Sequence, residues 1–147
     1  MKINKPTFWD KKKPNFLTYI LSPLTFLLKI NIIILKLIPK KKFDQIKSIC
    51  VGNIYLGGTG KTPTSLKLYQ LLKAKNYNVV IGKKYYSSQK DEIILLKNKS
   101  DTILSKNREE IIRLATEKNH ELIIFDDGLQ DRKIDYDIKF VCFDSKI

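Results

Sequence analysis

The sequence contains little of what would build a disulfide-stabilised domain, a metal centre of soft ligands or a histidine-based catalytic site. Its 147 residues include two cysteines and one histidine. Cys50 and Cys142 lie in apolar, strand-like runs, which is typical of buried thiols and provides neither a disulfide framework nor a metal-ligand spacing. His120 comes just before another apolar run, so we interpret it as a surface residue at the entrance to a strand.

Acidic residues and arginine are also scarce. The chain has 28 basic and 15 acidic residues, a formal net charge of +13, and only three of the basic residues are arginines. Such a charge favours an anionic partner, which would be a nucleic acid, a membrane surface or a phosphorylated substrate. Lysine, isoleucine and asparagine are all abundant, so genome base composition contributes to the charge. Because no basic patch interleaved with aromatic residues is present, we expect no nucleic-acid partner.

Residues 1–45 predict a basic N-terminus followed by a membrane-associated helix. Residues 16–38 are strongly apolar and lie between the lysine runs 11–13 and 40–42. One narrow helical stripe holds the polar residues of this segment, which are Thr18, Ser22, Thr25, Lys29 and Lys36. A helix from Pro23 to the residue before Pro39 covers only about 24 Å. We therefore expect an amphipathic helix in the membrane interface, with a tilted span and a soluble core helix as alternatives.

A glycine-rich turn follows the first predicted strand, residues 48–51. The sequence from Val51 is VGNIYLGGTGKTP, and a helix is predicted over residues 62–75. Such a turn directs backbone N–H groups at a phosphate, although the usual spacing has a glycine where this chain has Tyr55. Lys61 would reach the β- and γ-phosphates, and the Thr62 hydroxyl would ligate Mg²⁺. The candidate nucleotide-binding residues are Gly57, Gly58, Thr59, Gly60, Lys61 and Thr62.

Strands and helices alternate over residues 46–147, which predicts one α/β domain with a mostly parallel sheet and flanking helices. Strands are predicted at residues 79–81, 102–104, 122–125 and 138–143, a helix at 107–118, a shorter helical segment at 92–97 and a polar loop at 82–90. The two carboxylates of Asp126 and Asp127 follow the strand at 122–125. Ligands in such folds bind at the carboxyl ends of strands.

These two carboxylates are therefore candidate Mg²⁺ ligands, together with Thr62. The alternative interpretation is that Asp126 and Asp127 are ordinary turn residues. We expect Asp126 or Asp127 to be needed for magnesium-dependent chemistry but not for folding. Arg132 would contact a phosphate or lie on the surface. Asp91 and the glutamate after it are consistent with an acidic helix start, which the helix dipole stabilises.

The pattern V-G-N-x-x-x-G-G-T-G-K-T-P, followed by D-D-G-L-Q-x-R, resembles the tetraacyldisaccharide 4'-kinases of lipid A biosynthesis. The resemblance covers nearly the whole chain but only about the first half of a family member. It implies a P-loop NTPase-like fold and ATP-dependent, Mg²⁺-dependent phosphorylation of the 4'-hydroxyl of an acylated disaccharide phosphate lipid. It also implies action at the cytoplasmic face of the bacterial inner membrane. Lys61, Asp127 and Asp91, which is similar to the aspartate of a family G-D-E segment, would be the catalytic residues.

The chain departs from the family pattern at several positions. Lys83 stands where the family has the arginine of an S-R-G-Y-G segment, and Asp131 stands where a histidine is expected. The histidine that partners the catalytic aspartate lies in the second half of family members. We therefore expect a truncated or split member, with a second polypeptide supplying that half. The alternatives are a membrane-attached nucleotide-binding remnant without turnover, or another P-loop kinase or ATPase.

Overall fold

The computed structural model describes residues 22–37, 39–53, 60–131 and 133–143. The chain divides into two compact units, Met1–Pro39 and Lys40–Ile147. Several residues named above, among them Thr18, Tyr55, Gly57, Gly58, Thr59 and Arg132, lie outside the described residues.

The first unit contributes one described helix, α1 (Ser22–Leu37), which begins at the predicted Ser-Pro pair. The side chains described in α1 are exposed around the whole helix, including Phe26 at 64% and Ile33 at 58%. No helix among the described residues is both long enough and apolar enough to cross a membrane. The interfacial position of α1 stays a prediction.

The second unit alternates strands and helices as the sequence predicts. The elements are β1 (Lys47–Asn53), α2 (Lys61–Ala74), β2 (Val79–Lys84), a short 3₁₀ helix (Ser87–Gln89), α3 (Lys90–Lys99), β3 (Thr102–Ser105), α4 (Arg108–Glu117), β4 (Leu122–Asp126) and β5 (Ile138–Cys142). The predicted loop at 82–90 is wrong at both ends, because a 3₁₀ helix leads into α3, which begins at Lys90, and β2 continues through Lys84. Lys83 pairs there with Leu104 on one side and Asp126 on the other.

The five strands form one sheet in the order β3-β2-β4-β1-β5, and every neighbouring pair is parallel. The carboxyl ends of all strands therefore lie along one edge of the sheet. Because β4 lies between β1 and β2, three residues are brought to the same part of that edge: Asn53 and Asp126, which end β1 and β4, and Lys83, which precedes the last residue of β2.

Helices cover both faces of the sheet, as predicted. On one face Ile111, Ile112 and Ala115 of α4 pack with Ile123 and Phe125. Gly82 lets α4 approach closely, because a Cβ there would lie 2.8 Å from Cγ2 of Ile111. On the other face α2 and α3 pack through Leu66, Tyr69 and Leu96. These two apolar layers fix the strand ends that form the site.

Candidate functional site

The start of α2 has the geometry of an anion site. β1 ends at Asn53 and α2 begins at Lys61, which confirms the predicted strand and helix on either side of the glycine-rich turn, while residues 54–59 lie outside the described residues. Gly60 adopts a φ of +75°, in the left-handed region that favours glycine. No acidic residue lies in the first turn of α2, so its positive end is available to an anion.

Asp126 is the centre of a buried hydrogen-bond network at this edge. The residue is 1% exposed, and its carboxylate accepts hydrogen bonds from Thr62 Oγ1 at 3.1 Å and Ser65 Oγ at 3.0 Å. Lys83 Nζ donates to the same carboxylate at 2.7 Å. Because the Thr62 hydroxyl gives its only proton to Asp126, its lone pairs are free for an electrophile such as a metal ion.

Lys61 joins the ends of β1 and β4. Its Nζ lies 3.1 Å from Oδ1 of Asp127 and donates to Oδ1 of Asn53 at 3.1 Å. Asp127 has a φ of +65°, and its N–H donates to the carbonyl of Val51 at 2.8 Å. The structure thus brings together four of the predicted site residues, Lys61, Thr62, Asp126 and Asp127.

Lys83 is buried between two carboxylates. Besides Asp126, its Nζ contacts Oε2 of Glu92 at 2.6 Å. Burial acts to lower the pKa of Lys83, but the charge and hydrogen bonds of Asp126 and Glu92 outweigh it, so the pKa is raised above its usual value. Lys83 is therefore a permanent cation at neutral pH.

Asp91 is not brought into this network. It lies in the first turn of α3 with an exposed side chain, and it makes no hydrogen bond or ion pair within the described part of the chain. The next residue, Glu92, is the one that contacts Lys83. The catalytic role of Asp91 stays a prediction.

Sequence reasoning missed four contributors to the site: Asn53, Ser65, Glu92 and Arg108. Arg108 is buried at the start of α4 and donates to Oδ2 of Asp131 at 2.9 Å and to the carbonyl of Asp127 at 2.5 Å. It thereby holds the loop that carries Asp127. Ser65 had a usable signal, since it lies three residues after Thr62 on the same helix face. Asn53 and Glu92 stand in the V-G-N and G-D-E patterns of the resemblance but were given no role, and Arg108 had no such signal.

His120 and the cysteines lie away from this chemistry. His120 Nδ1 is 2.9 Å from Oδ1 of Asn78, and the two residues precede β4 and β2 at the amino-terminal edge of the sheet. Cys50 is buried, as predicted, and burial raises its pKa to about 12. Cys142 is only half-buried.

The residues present fit a magnesium ion better than a metal of soft ligands. Within the described ranges, no group of three or more His, Cys, Asp and Glu side chains forms a metal cluster. Mg²⁺ needs fewer protein ligands, because it retains waters and binds through one or two carboxylates plus phosphate oxygens. Thr62 and the adjacent carboxylates Asp126 and Asp127 offer such a donor set.

This fold and site define the class of the protein. A parallel α/β sheet, a helix that begins at Gly-Lys-Thr and a carboxylate at the end of the adjacent strand are the features of a P-loop nucleotide-binding domain. The family model of LpxK, tetraacyldisaccharide-1-P 4'-kinase, matches residues 17–147. The chain belongs to this family, which confirms the resemblance drawn from the sequence.

Relatives and one solved structure agree with this assignment. The chain is 43% identical over 147 residues to the tetraacyldisaccharide 4'-kinase of Pelagibacter ubique, covering 99% of this chain and 46% of the relative. It is 32% identical to the Rickettsia felis enzyme of that name, covering 99% and 49%. The structure of LpxK from Aquifex aeolicus in complex with ATP matches with a TM-score of 0.68 and 25% identity, over 89% of this chain and 50% of that one. The chain thus spans about half the length of the curated relatives it matches.

The buried network changes the expectation that Asp126 is not needed for folding. Replacing Asp126 by Asn should lower the free energy of unfolding by about 3–5 kcal/mol, because the buried Lys83 loses a carboxylate partner. Asp127→Asn is the matched control: asparagine tolerates the positive φ, and we expect a loss of about 1 kcal/mol or less. Urea unfolding followed by circular dichroism measures both. Equal losses would contradict the central position of Asp126.

Proposed function

We propose that this chain binds ATP with Mg²⁺ and forms the nucleotide-binding part of an enzyme that phosphorylates the 4'-hydroxyl of a tetraacyldisaccharide 1-phosphate. The observation that carries the proposal is the convergence of Lys61, Thr62, Asp126 and Asp127 at one edge of the sheet. Family membership supports the substrate, and the ATP complex of the Aquifex aeolicus protein supports the nucleotide.

Each residue has a separate task in this mechanism. Lys61 exchanges Asp127 and Asn53 for phosphate oxygens and neutralises charge that develops on the γ-phosphoryl group. Thr62 and Asp127 would hold Mg²⁺, which supplies further charge neutralisation at the phosphates. Asp126 already accepts from three donors, so it orients Thr62.

Fewer residues of this chain can be assigned to the acceptor hydroxyl than to the nucleotide. We propose that Asp91, whose carboxylate is exposed, helps to activate the acceptor hydroxyl. The histidine that the resemblance places in the second half of family members belongs to the half that this chain does not match, and His120 lies at the opposite edge of the sheet.

We infer that a polypeptide matching the remaining half of the relatives completes the site and packs on β5. This strand is one of the two edge strands of the described sheet, and its side chains are exposed on both faces. Its large apolar residues are Ile138, Phe140, Val141 and, just beyond the strand, Phe143, with 40–72% of each exposed. Parallel sheets are ordinarily covered on both faces, and the relatives have about twice the length from which to supply that cover.

We further propose that the protein acts at the cytoplasmic face of the bacterial inner membrane. The apolar side chains of α1 are exposed, which suits burial among lipid acyl chains. The lysines of residues 40–42 follow and would face anionic headgroups.

Nucleotide binding is tested at Lys61. Lys61→Ala should weaken ATP·Mg²⁺ binding about ten- to a hundredfold, because a charge-assisted contact with phosphate is lost. Isothermal titration calorimetry measures the affinity. Lys67→Ala is the matched control, since Lys67 is exposed on the same helix, and it should bind like the unaltered chain. Equal affinities for the two variants would exclude the assignment.

Membrane association is tested at α1. The double variant Phe26→Glu, Ile33→Glu should no longer co-sediment with vesicles that contain phosphatidylglycerol, because two charges are placed on the lipid-facing surface. Leu71→Glu, which adds one charge at an exposed apolar position of α2, should still sediment. If the double variant also sediments in full, the membrane contact lies elsewhere. Alkaline carbonate extraction then separates an interfacial helix from a spanning one.

Phosphoryl transfer is tested with labelled ATP and a tetraacyldisaccharide 1-phosphate in detergent micelles. The 147-residue chain alone should transfer little or no γ-phosphate, because the histidine partner that the resemblance implies for Asp91 belongs to the half of the relatives that this chain does not match. Adding a polypeptide that matches the second half of the Pelagibacter ubique relative should raise transfer, and Val141→Glu on β5 should prevent that rise. Robust, Lys61-dependent transfer by the chain alone would contradict the need for a second half.

A further inference from the structure

The carboxyl end of β2 contains a lysine as buried as the apolar core. Lys83 is 1% exposed. Lysine is almost never fully buried unless its charge is paired, because removing the ammonium from water costs several kcal/mol. A lysine buried at this position therefore indicates a role for its charged ammonium group or for the length of its side chain.

The contacts of Lys83 extend in two directions. Its Nζ lies 2.7 Å from Oδ2 of Asp126 on β4 and 2.6 Å from Oε2 of Glu92 on α3. Both distances are those of strong charge-assisted hydrogen bonds. Asp126 has no exposure and needs a cation, whereas Glu92 has a side chain 49% exposed, and water would solvate it without any partner. The contact with Glu92 is therefore not required to bury a charge.

Few other contacts hold the first turn of α3 in place. Its N-cap residue, Gln89, makes no side-chain capping hydrogen bond. The nearest buried side chain in the helix is Ile93, and the only other one is Leu96. An uncapped helix start held by one ion pair depends on that pair for its position.

We propose that Lys83 is a positioning residue that ties the first turn of α3, and Asp91 with it, to Asp126 and the start of α2. Asp126 orients Thr62, and Glu92 adjoins Asp91, so a single ammonium group fixes the metal side and the acceptor side of the site relative to each other. The terms metal side and acceptor side rest on the proposed function. The contacts of Lys83 with Asp126 and Glu92 are present without a nucleotide.

Four single variants of the full chain, and the double variant that combines the first two, test the proposal. Lys83→Met removes the charge and keeps the stem, and Glu92→Gln removes the second carboxylate from an exposed position. Lys83→Arg keeps the charge and should behave like the unaltered chain in both measurements described below. Lys84→Met is the matched control, because Lys84 is the next residue and its ammonium lies over the ring of Tyr86 at 5.4 Å.

Hydrogen exchange followed by NMR is the first measurement. The informative amides are those of residues 94–96, whose helical acceptors are the carbonyls of the first turn of α3. Lys83→Met and Glu92→Gln should each speed their exchange about tenfold, and the double variant should add little. The amides of α4 should not change in Glu92→Gln, Lys83→Arg or Lys84→Met.

The second measurement is the gain in ATP affinity on adding Mg²⁺. It should fall in Lys83→Met, return in Lys83→Arg and persist in Lys84→Met, a pattern that a general loss of stability would not give. If Lys83→Met does not fold, Glu92→Gln still decides: unchanged exchange at residues 94–96 would overturn the proposal. If the unaltered chain binds no ATP, the proposed function fails. The exchange measurement then still tests whether Lys83 positions the first turn of α3.

Discussion

The rest of the site depends on one buried carboxylate. Asp126 has no solvent contact, and a charge in that position is tolerated only when cations and hydrogen-bond donors surround it. Lys83 supplies the cation, and the hydroxyls of Thr62 and Ser65 supply the donors. Because these partners come from β2 and α2, satisfying Asp126 fixes the end of one strand and the start of one helix at the same time.

The sheet makes this arrangement possible before any polar contact forms. In the parallel register Asp126 pairs with Val51 on one side and Lys83 on the other. Side chains that pair in register point to the same face, so Lys83 and Asp126 both face α2 and α3. The apolar layers beneath them, including Ile81 and Ile124, hold that register, since a slip by one residue would turn the whole polar set to the other face.

The parts of the site that follow from local pattern could be predicted from the sequence. The strand before the glycine-rich turn and the helix that begins at Lys61 were predictable, and so were Asp126 and Asp127, because an apolar run ends at them. Lys83 was placed in a loop, since a lysine among polar residues looks exposed when its partners are distant in sequence. Arg108 was missed for the same reason, because Asp131 lies 23 residues away and only the folded chain brings the two together.

The local charge of the site differs from that of the chain. The formal net charge is +13, yet among the described residues of the site the cations Lys61, Lys83 and Arg108 each contact a carboxylate. The carboxylates facing them are Asp126, Asp127, Glu92 and Asp131, one more than the cations. Under the proposed function, a nucleotide would therefore not meet a net positive charge from these residues. It would have to take Lys61 away from Asp127, which would leave that carboxylate without its cation beside an incoming polyphosphate. A divalent ion held at Asp127 would remove this repulsion, so phosphate binding and magnesium binding would be coupled through Lys61.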